Sequence, residues 1–255
     1  MYEINITVAP RFYGWNDDAE IKLKDSVREW SDCIEFSDGL DGRRVYIRFD
    51  DAEKAETALT RFLTEFYCVS AKRGYLASKL KLPMISELSK AALIHTLIAF
   101  DRDRDEEAIK DELSFGETFS IDGFYNFRLR SIERRWNEII GLTADNYPLM
   151  YDENALDLLI KFLLSTVAPR FDSVVLCENG GCFELETFDG DIISVKEPGD
   201  LIAALIDIAP MEIILKDELS NAAFKKRLSD MFDVKSEVNS LAFSEKISRN
   251  DAQTR

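Results

Sequence analysis

The chain has 255 residues, 46% hydrophobic and 31% charged, with a formal net charge of -16. That is too apolar for a disordered chain, and the length allows one large domain or a few small ones. Forty-eight acids against thirty-two bases exclude a general attraction to nucleic acid or anionic lipid, and the longest apolar stretches are too short to cross a bilayer.

The opening residues Met1 to Val8 carry neither a basic region nor the apolar run of a secretion signal. Cys33, Cys68, Cys177 and Cys182 lack the spacing of a disulfide framework. Both observations point to a reduced, cytoplasmic setting.

Residues 1–70 read as a small α/β unit. Ile4, Ile6 and Val8 alternate with Glu3, Asn5 and Thr7, the pattern of a half-buried strand. A helix is expected over Ala19 to Trp30, with Ile21, Val27 and Trp30 on one face. Cys33 to Phe36 and Arg43 to Phe49 form a hairpin around two Asp-Gly pairs, which tolerate positive φ. Asp50 or Asp51 caps a helix whose apolar face is Ala52, Ala55, Leu59, Phe62, Leu63 and Phe66.

Residues 71–168 read as helical throughout. Pro83 punctuates the stretch, Ser86 offers a cap, and Leu88, Ala91, Ala92, His95 and Ile98 form a stripe. Asp101 to Glu112 holds seven acids and three bases and is expected to be a solvated surface. After a break at Gly116, Ser120 to Trp136 reads as one helix rich in aromatics and carrying Arg128, Arg130, Arg134 and Arg135. Phe124, Phe127 or Arg128, Ile132, Trp136 and Ile139 fall at core spacing, while Arg130 and Arg134 lie on another face near Glu133 and Glu138. The last helix of this region is polar at Glu153, Asp157, Lys161 and Ser165. Leu156, Leu159, Phe162, Leu163 and Val167 fill the rest, the pattern of a helix buried on most sides.

Residues 169–244 read as a second α/β unit with fifteen acids and seven bases up to Ser244. Ser173 to Cys177 and Cys182 to Phe188 form a hairpin with a four-residue loop, pairing Cys177 with Cys182, Leu176 with Phe183 and Val174 with Leu185. Asp189-Gly190 turns into a third strand, Ile192 to Val195. A helix capped near Pro198 to Asp200 follows, then a strand at Met211 to Leu215, a helix from Ser220 and a closing strand at Val234 to Val238. Residues 245–255 read as a frayed tail.

The order of these pieces resembles the YtxC-like family of sporulation-associated bacterial proteins. The residues that carry the resemblance are Asp122 to Leu129, the helical stretch to Val167, the Gly180 to Gly190 hairpin and Met211 to Leu215 with the closing helix and strand. It covers roughly the last 140 residues, and the chain departs from the pattern at Tyr147-Pro148, where a proline interrupts helical sequence. The resemblance implies a cytoplasmic role around sporulation and no defined biochemical activity.

Local chemistry adds little. There is no phosphate-binding glycine loop, nucleophile elbow or zinc helix, so no cofactor is expected. His95 reads as a hydrogen-bonded, partly buried imidazole, and Cys177 and Cys182 as small reduced residues, with a regulatory disulfide or a metal as alternatives. The fold expected is α+β: an N-terminal α/β unit, a helical middle and a C-terminal antiparallel or mixed sheet backed by helices. The function expected is a non-enzymatic interaction or assembly protein that grips a protein partner through Arg128, Arg130, Arg134 and Arg135. The alternatives are a nucleic-acid-associated factor using the same helix, against which the net charge argues, and an enzyme with a dispersed site of acids and arginines.

Overall fold

The computed structural model describes residues 2–10, 12–39, 42–80, 86–145, 153–187 and 190–236. The architecture is α+β, with two mixed sheets. The chain forms two compact units, one from residues 1–81 and 101–146 and the other from 82–100 and 147–255.

The first unit is built on a four-stranded sheet of order β2-β3-β1-β4. Strand β1 (Tyr2–Val8) buries Ile4, Ile6 and Val8, as its alternation requires. Asn16 caps α1 (Asp17–Val27), whose buried face is Ala19, Leu23 and Val27, four residues apart; Ile21 is exposed, contrary to expectation. Strands β2 (Ser31–Gly39) and β3 (Gly42–Phe49) pair antiparallel, and β3 pairs with β1. Gly42 (φ 129°) closes the turn where a Cβ would lie 2.1 Å from the Val8 carbonyl oxygen, so only glycine fits. Asp51 caps α2 (Ala52–Glu65) by accepting from the Glu53 and Lys54 amides, and Ala55, Leu59, Phe62 and Leu63 face inward while Ala52 is exposed.

A π-helical turn, Phe66–Ala71, continues α2 into α3 (Lys72–Lys79). The chain enters the second unit with α4 (Glu87–Phe100), capped by Ser86, and returns with α5 (Arg102–Glu112). Strand β4 (Thr118–Ser120) then pairs parallel with β1 in a stretch read as helical. Three residues show no alternation; only the neighbouring strand defines them. Helix α6 (Ile121–Arg128) follows directly, capped by Ser120, and α7 (Arg130–Asp145) completes the unit.

In the second unit α8 (Glu153–Leu164) departs in part from its expected pattern. Asp157 is buried, whereas Leu158 and Phe162 are exposed. The cause is Arg227, which reaches Asp157 and draws that one polar position inward beside Leu156 and Ile160, while Lys161 and Ser165 stay exposed. The sheet has the order β7-β6-β5-β8-β9. Strands β5 (Phe171–Asn179), β6 (Cys182–Thr187) and β7 (Ile192–Val195) form an antiparallel meander. Helix α9 (Pro198–Ile208) leads to β8 (Pro210–Leu215), parallel to β5, and α10 (Ala222–Met231), capped by Asn221, leads to the parallel β9 (Val234–Ser236). The β5–β6 turn has two residues, Gly180 and Gly181, both at positive φ, and the register pairs Asn179 with Cys182, Cys177 with Glu184 and Leu176 with Leu185. The cysteines therefore do not oppose each other; two adjacent glycines allow a tighter turn than the four-residue loop expected. Pro83, Tyr147-Pro148, Val238 and the tail 245–255 lie outside the described residues.

Candidate functional site

The arginine-bearing stretch is two helices, not one. Leu129 lies between α6 and α7 (φ -91°, ψ 21°), and its amide is shared between the Phe124 and Tyr125 carbonyls. The reason is packing: Leu129 is fully buried, together with Phe124, Tyr125, Ile132, Trp136 and Ile139. Phe127 and Arg128, the two candidates for one core position, both point outward, Phe127 with 73% of its surface exposed.

The four arginines divide. Arg135 turns inward: its Nη2 donates to Asp105 Oδ1 at 2.8 Å and to the Arg104 carbonyl at 3.3 Å, and its Nε lies 3.8 Å from Asp101 Oδ2. The other three stay at the surface. Arg130 Nε donates to the Asn126 carbonyl at 2.9 Å, which sets its guanidinium 6.0 Å from the centre of the Phe127 ring. Arg128 meets Glu112 at 3.7 Å with both side chains about half exposed or more. Arg134 is exposed and has no ion pair among the described residues. The outcome is a basic and aromatic edge of Phe127, Arg128, Arg130 and Arg134 on an acidic molecule.

Beneath that edge lies a cluster the sequence did not announce. Asp105 is fully buried, and its Oδ2 accepts from Lys72 Nζ and from Trp136 Nε1, each at 2.8 Å. Lys72 is also fully buried, 5.8 Å from the centre of the Trp136 indole. Lys72, Arg135, Asp101 and Asp105 thus bring together two charges of each sign, which is how ions survive away from water. Burial and the neighbouring Asp105 carboxylate push Asp101 above the usual carboxylate range, against the pull of Lys72 and Arg135.

The charge run Asp101 to Glu112 is therefore not simply a solvated face. Asp101, Asp105 and Ile109, four residues apart, form its inner stripe. The one apolar side chain in register with two acids was the available signal, and it marks them as facing the core. On the outer side Arg102 joins Glu65 and Glu106, and Glu106 also accepts from Lys110. Burial raises the Glu106 pKa, yet the bonds from Arg102 and Lys110 outweigh it and hold the group below its ordinary value.

A second polar group sits beside Trp136. The Tyr75 hydroxyl donates to Asn137 Oδ1 at 2.8 Å, with Glu133 Oε1 as a second, longer acceptor at 3.3 Å. The buried Tyr125 hydroxyl has no hydrogen-bond partner among the described residues, and burial, with Glu133, Tyr75 and Tyr13 nearby, raises its pKa. Tyr75 and Tyr125 both pack on Trp136, so the two polar groups share one aromatic wall.

An open groove of about 600 Å³ between α2 and α5 is lined by Glu53, Glu56, Arg61, Glu65, Glu106 and Lys110. Glu106, held as a carboxylate, is poorly suited to act as an acid there. The Lys72–Asp105 pair is sealed from solvent, which suits it to hold the fold together with Trp136 and Arg135.

The remaining candidates are quiet. His95 Nδ1 lies 3.4 Å from Asp207 Oδ1 in a mostly buried setting. All four cysteines are free; Cys177 lies 3.6 Å from Glu184, and burial and that carboxylate raise its pKa. Among the described residues no group of three or more His, Cys, Asp or Glu is placed to hold a metal ion, and no helix is long and apolar enough to cross a membrane. Comparison of the chain with protein-family models, with curated proteins and with solved structures finds no match.

Proposed function

We propose that this is a non-enzymatic interaction protein of the cytoplasm that binds the acidic surface of a protein partner through Phe127, Arg128, Arg130 and Arg134. Its association with sporulation rests on the resemblance to the YtxC-like family. The observation that carries the reading is the division of the arginines. Arg135 is committed to internal carboxylates, while Arg130 and Arg134 remain at the surface beside an exposed phenylalanine. Arginine and aromatic side chains dominate binding energy at protein interfaces, and a guanidinium held over a ring loses little freedom on binding.

The test is the charge-reversed variant R130E/R134E beside Arg170→Glu, a control at another site. Chemical cross-linking in the native cell is expected to yield a partner with the wild-type chain and the control that disappears with R130E/R134E. Equal recovery from all three removes the reading. An electrophoretic shift with single-stranded or double-stranded probes at low salt, lost in the same variant, assigns the edge to nucleic acid instead.

A further inference from the structure

A separate surface of the second unit carries its own signal. Strand β7 ends its sheet, and Ile192, Ile193 and Ser194 are all exposed. Unpaired sheet edges recruit other strands, and proteins blunt them with charges, brevity or coverage. The other edges here follow that rule. Strand β2 carries Asp32, Glu35 and Asp38; β4 has three residues and runs straight into a helix; β9 carries Lys235. Strand β7, Ile-Ile-Ser-Val, has no charge within it, and Ile192 exposes 65% of its surface.

The ladder shows which backbone groups face outward. The Thr187 amide donates to the Asp191 carbonyl, and the register continues with Leu185 opposite Ile193 and Phe183 opposite Val195. Hydrogen-bonded pairs alternate in an antiparallel ladder, so residues 191, 193 and 195 spend their backbone groups on β6. The amides and carbonyls of Ile192 and Ser194 point away from the sheet.

We propose that β7 pairs antiparallel with β7 of a second copy of this chain, joining two five-stranded sheets across a two-fold axis at Ser194. An axis normal to the sheet keeps each face on its own side, so only residues of equal parity can oppose. Centred on Ser194, the pairing sets Ile193 against Val195 of the second copy, twice, on the face that holds Phe183 and Leu185. The two Ser194 residues exchange their outward hydrogen bonds. On the other face Ile192 opposes Lys196 of the second copy. Glu186 already opposes Ile192 within the chain, so Glu186, Ile192 and the incoming Lys196 form one row spanning about 10 Å. Glu186 and Lys196 are both exposed, and neither has an ion pair within its own chain among the described residues. This charge complementarity selects a second copy over an unrelated extended peptide.

Sedimentation equilibrium of the full chain near 0.15 M ionic strength, where a screening length of about 8 Å blunts the net repulsion, tests the pairing. The apparent mass is expected to rise with concentration from the 29.2 kDa of one chain toward twice that value. Ser194→Pro removes an outward amide, and Ile192→Lys sets like charges across the axis while placing a cation opposite Glu186 at home. Each is expected to weaken association by about tenfold or more with the thermal transition unchanged. In the wild type, amide exchange at Ile192 and Ser194 is expected to slow as concentration rises. A single-chain mass up to about 0.5 mM, or dimerisation equal in both variants, overturns the proposal. So does an edge that takes up only an unrelated extended peptide.

Discussion

Each unit buries an ion pair, and the two pairs are built differently. In the first unit Lys72 meets Asp105 with both side chains wholly removed from water, and Trp136 and Arg135 complete the carboxylate's bonds. In the second, Arg227 grips Asp157 through Nε and Nη2 at 2.9 to 3.3 Å and extends the same fork to Ser89 at 2.8 Å. A guanidinium matches a carboxylate by its planar geometry, and Arg227 keeps some contact with water. An ammonium is a point charge, so the lysine pair needs groups from α3, α5 and α7 assembled around it. The first pair therefore depends on three helices arriving together, and the second mainly on two side chains.

The largest effect is expected at the sealed pair. Lys72→Met leaves Asp105 short of a cation and should cost about 3–5 kcal/mol in denaturant unfolding. K72M/D105N removes the uncompensated charge and keeps an acceptor for Trp136 Nε1, so it should recover part of that loss; no recovery would mean that the pair does more than neutralise itself. Arg227→Lys keeps the charge and loses the fork; about 1–2 kcal/mol is expected, a smaller cost than at Lys72. Equal costs at the two sites would erase the contrast.

Acid titration should separate Glu106 from Asp101. The Glu106 pKa is lowered in the fold, so its contribution is present above the unfolded value and lost as pH falls through the folded one. Glu106→Gln should therefore cost less than about 1 kcal/mol at neutral pH and nothing in strong acid. Asp101, raised in the fold, has the opposite sign: stability relative to Asp101→Asn should grow as pH falls through its folded value toward 3.8. Parallel pH profiles for the two variants would contradict the arrangement. The smallest effect is expected outside: R130E/R134E should leave the thermal midpoint within about 2 °C.

Much of the fold was legible because it follows from local periodicity. The alternation of β1, the Asp51 cap, the hairpin before Phe49 and the inward face of α9 each depend on residues within one element. Within the candidate site, the core spacing of Phe124, Ile132, Trp136 and Ile139 was legible for the same reason. The fate of the arginines was not, since Arg135 and Arg134 are neighbours of identical chemistry. Nor was α8, where Asp157 in a four-residue polar repeat looks the same whether water or Arg227 lies in front of it.

The amino-acid order by itself determined where most strands and helices form, that the chain is acidic, and that guanidinium groups crowd between residues 128 and 135. Only the tertiary structure decided which charges are buried. Helical periodicity specifies a face, but the side chain opposite that face comes from residues 30 to 70 positions away. The same holds for β4, a strand created by the edge of β1, and for the two-residue turn that separates the cysteines. A charge, a short strand and a register each take their meaning from a neighbour that sequence distance conceals.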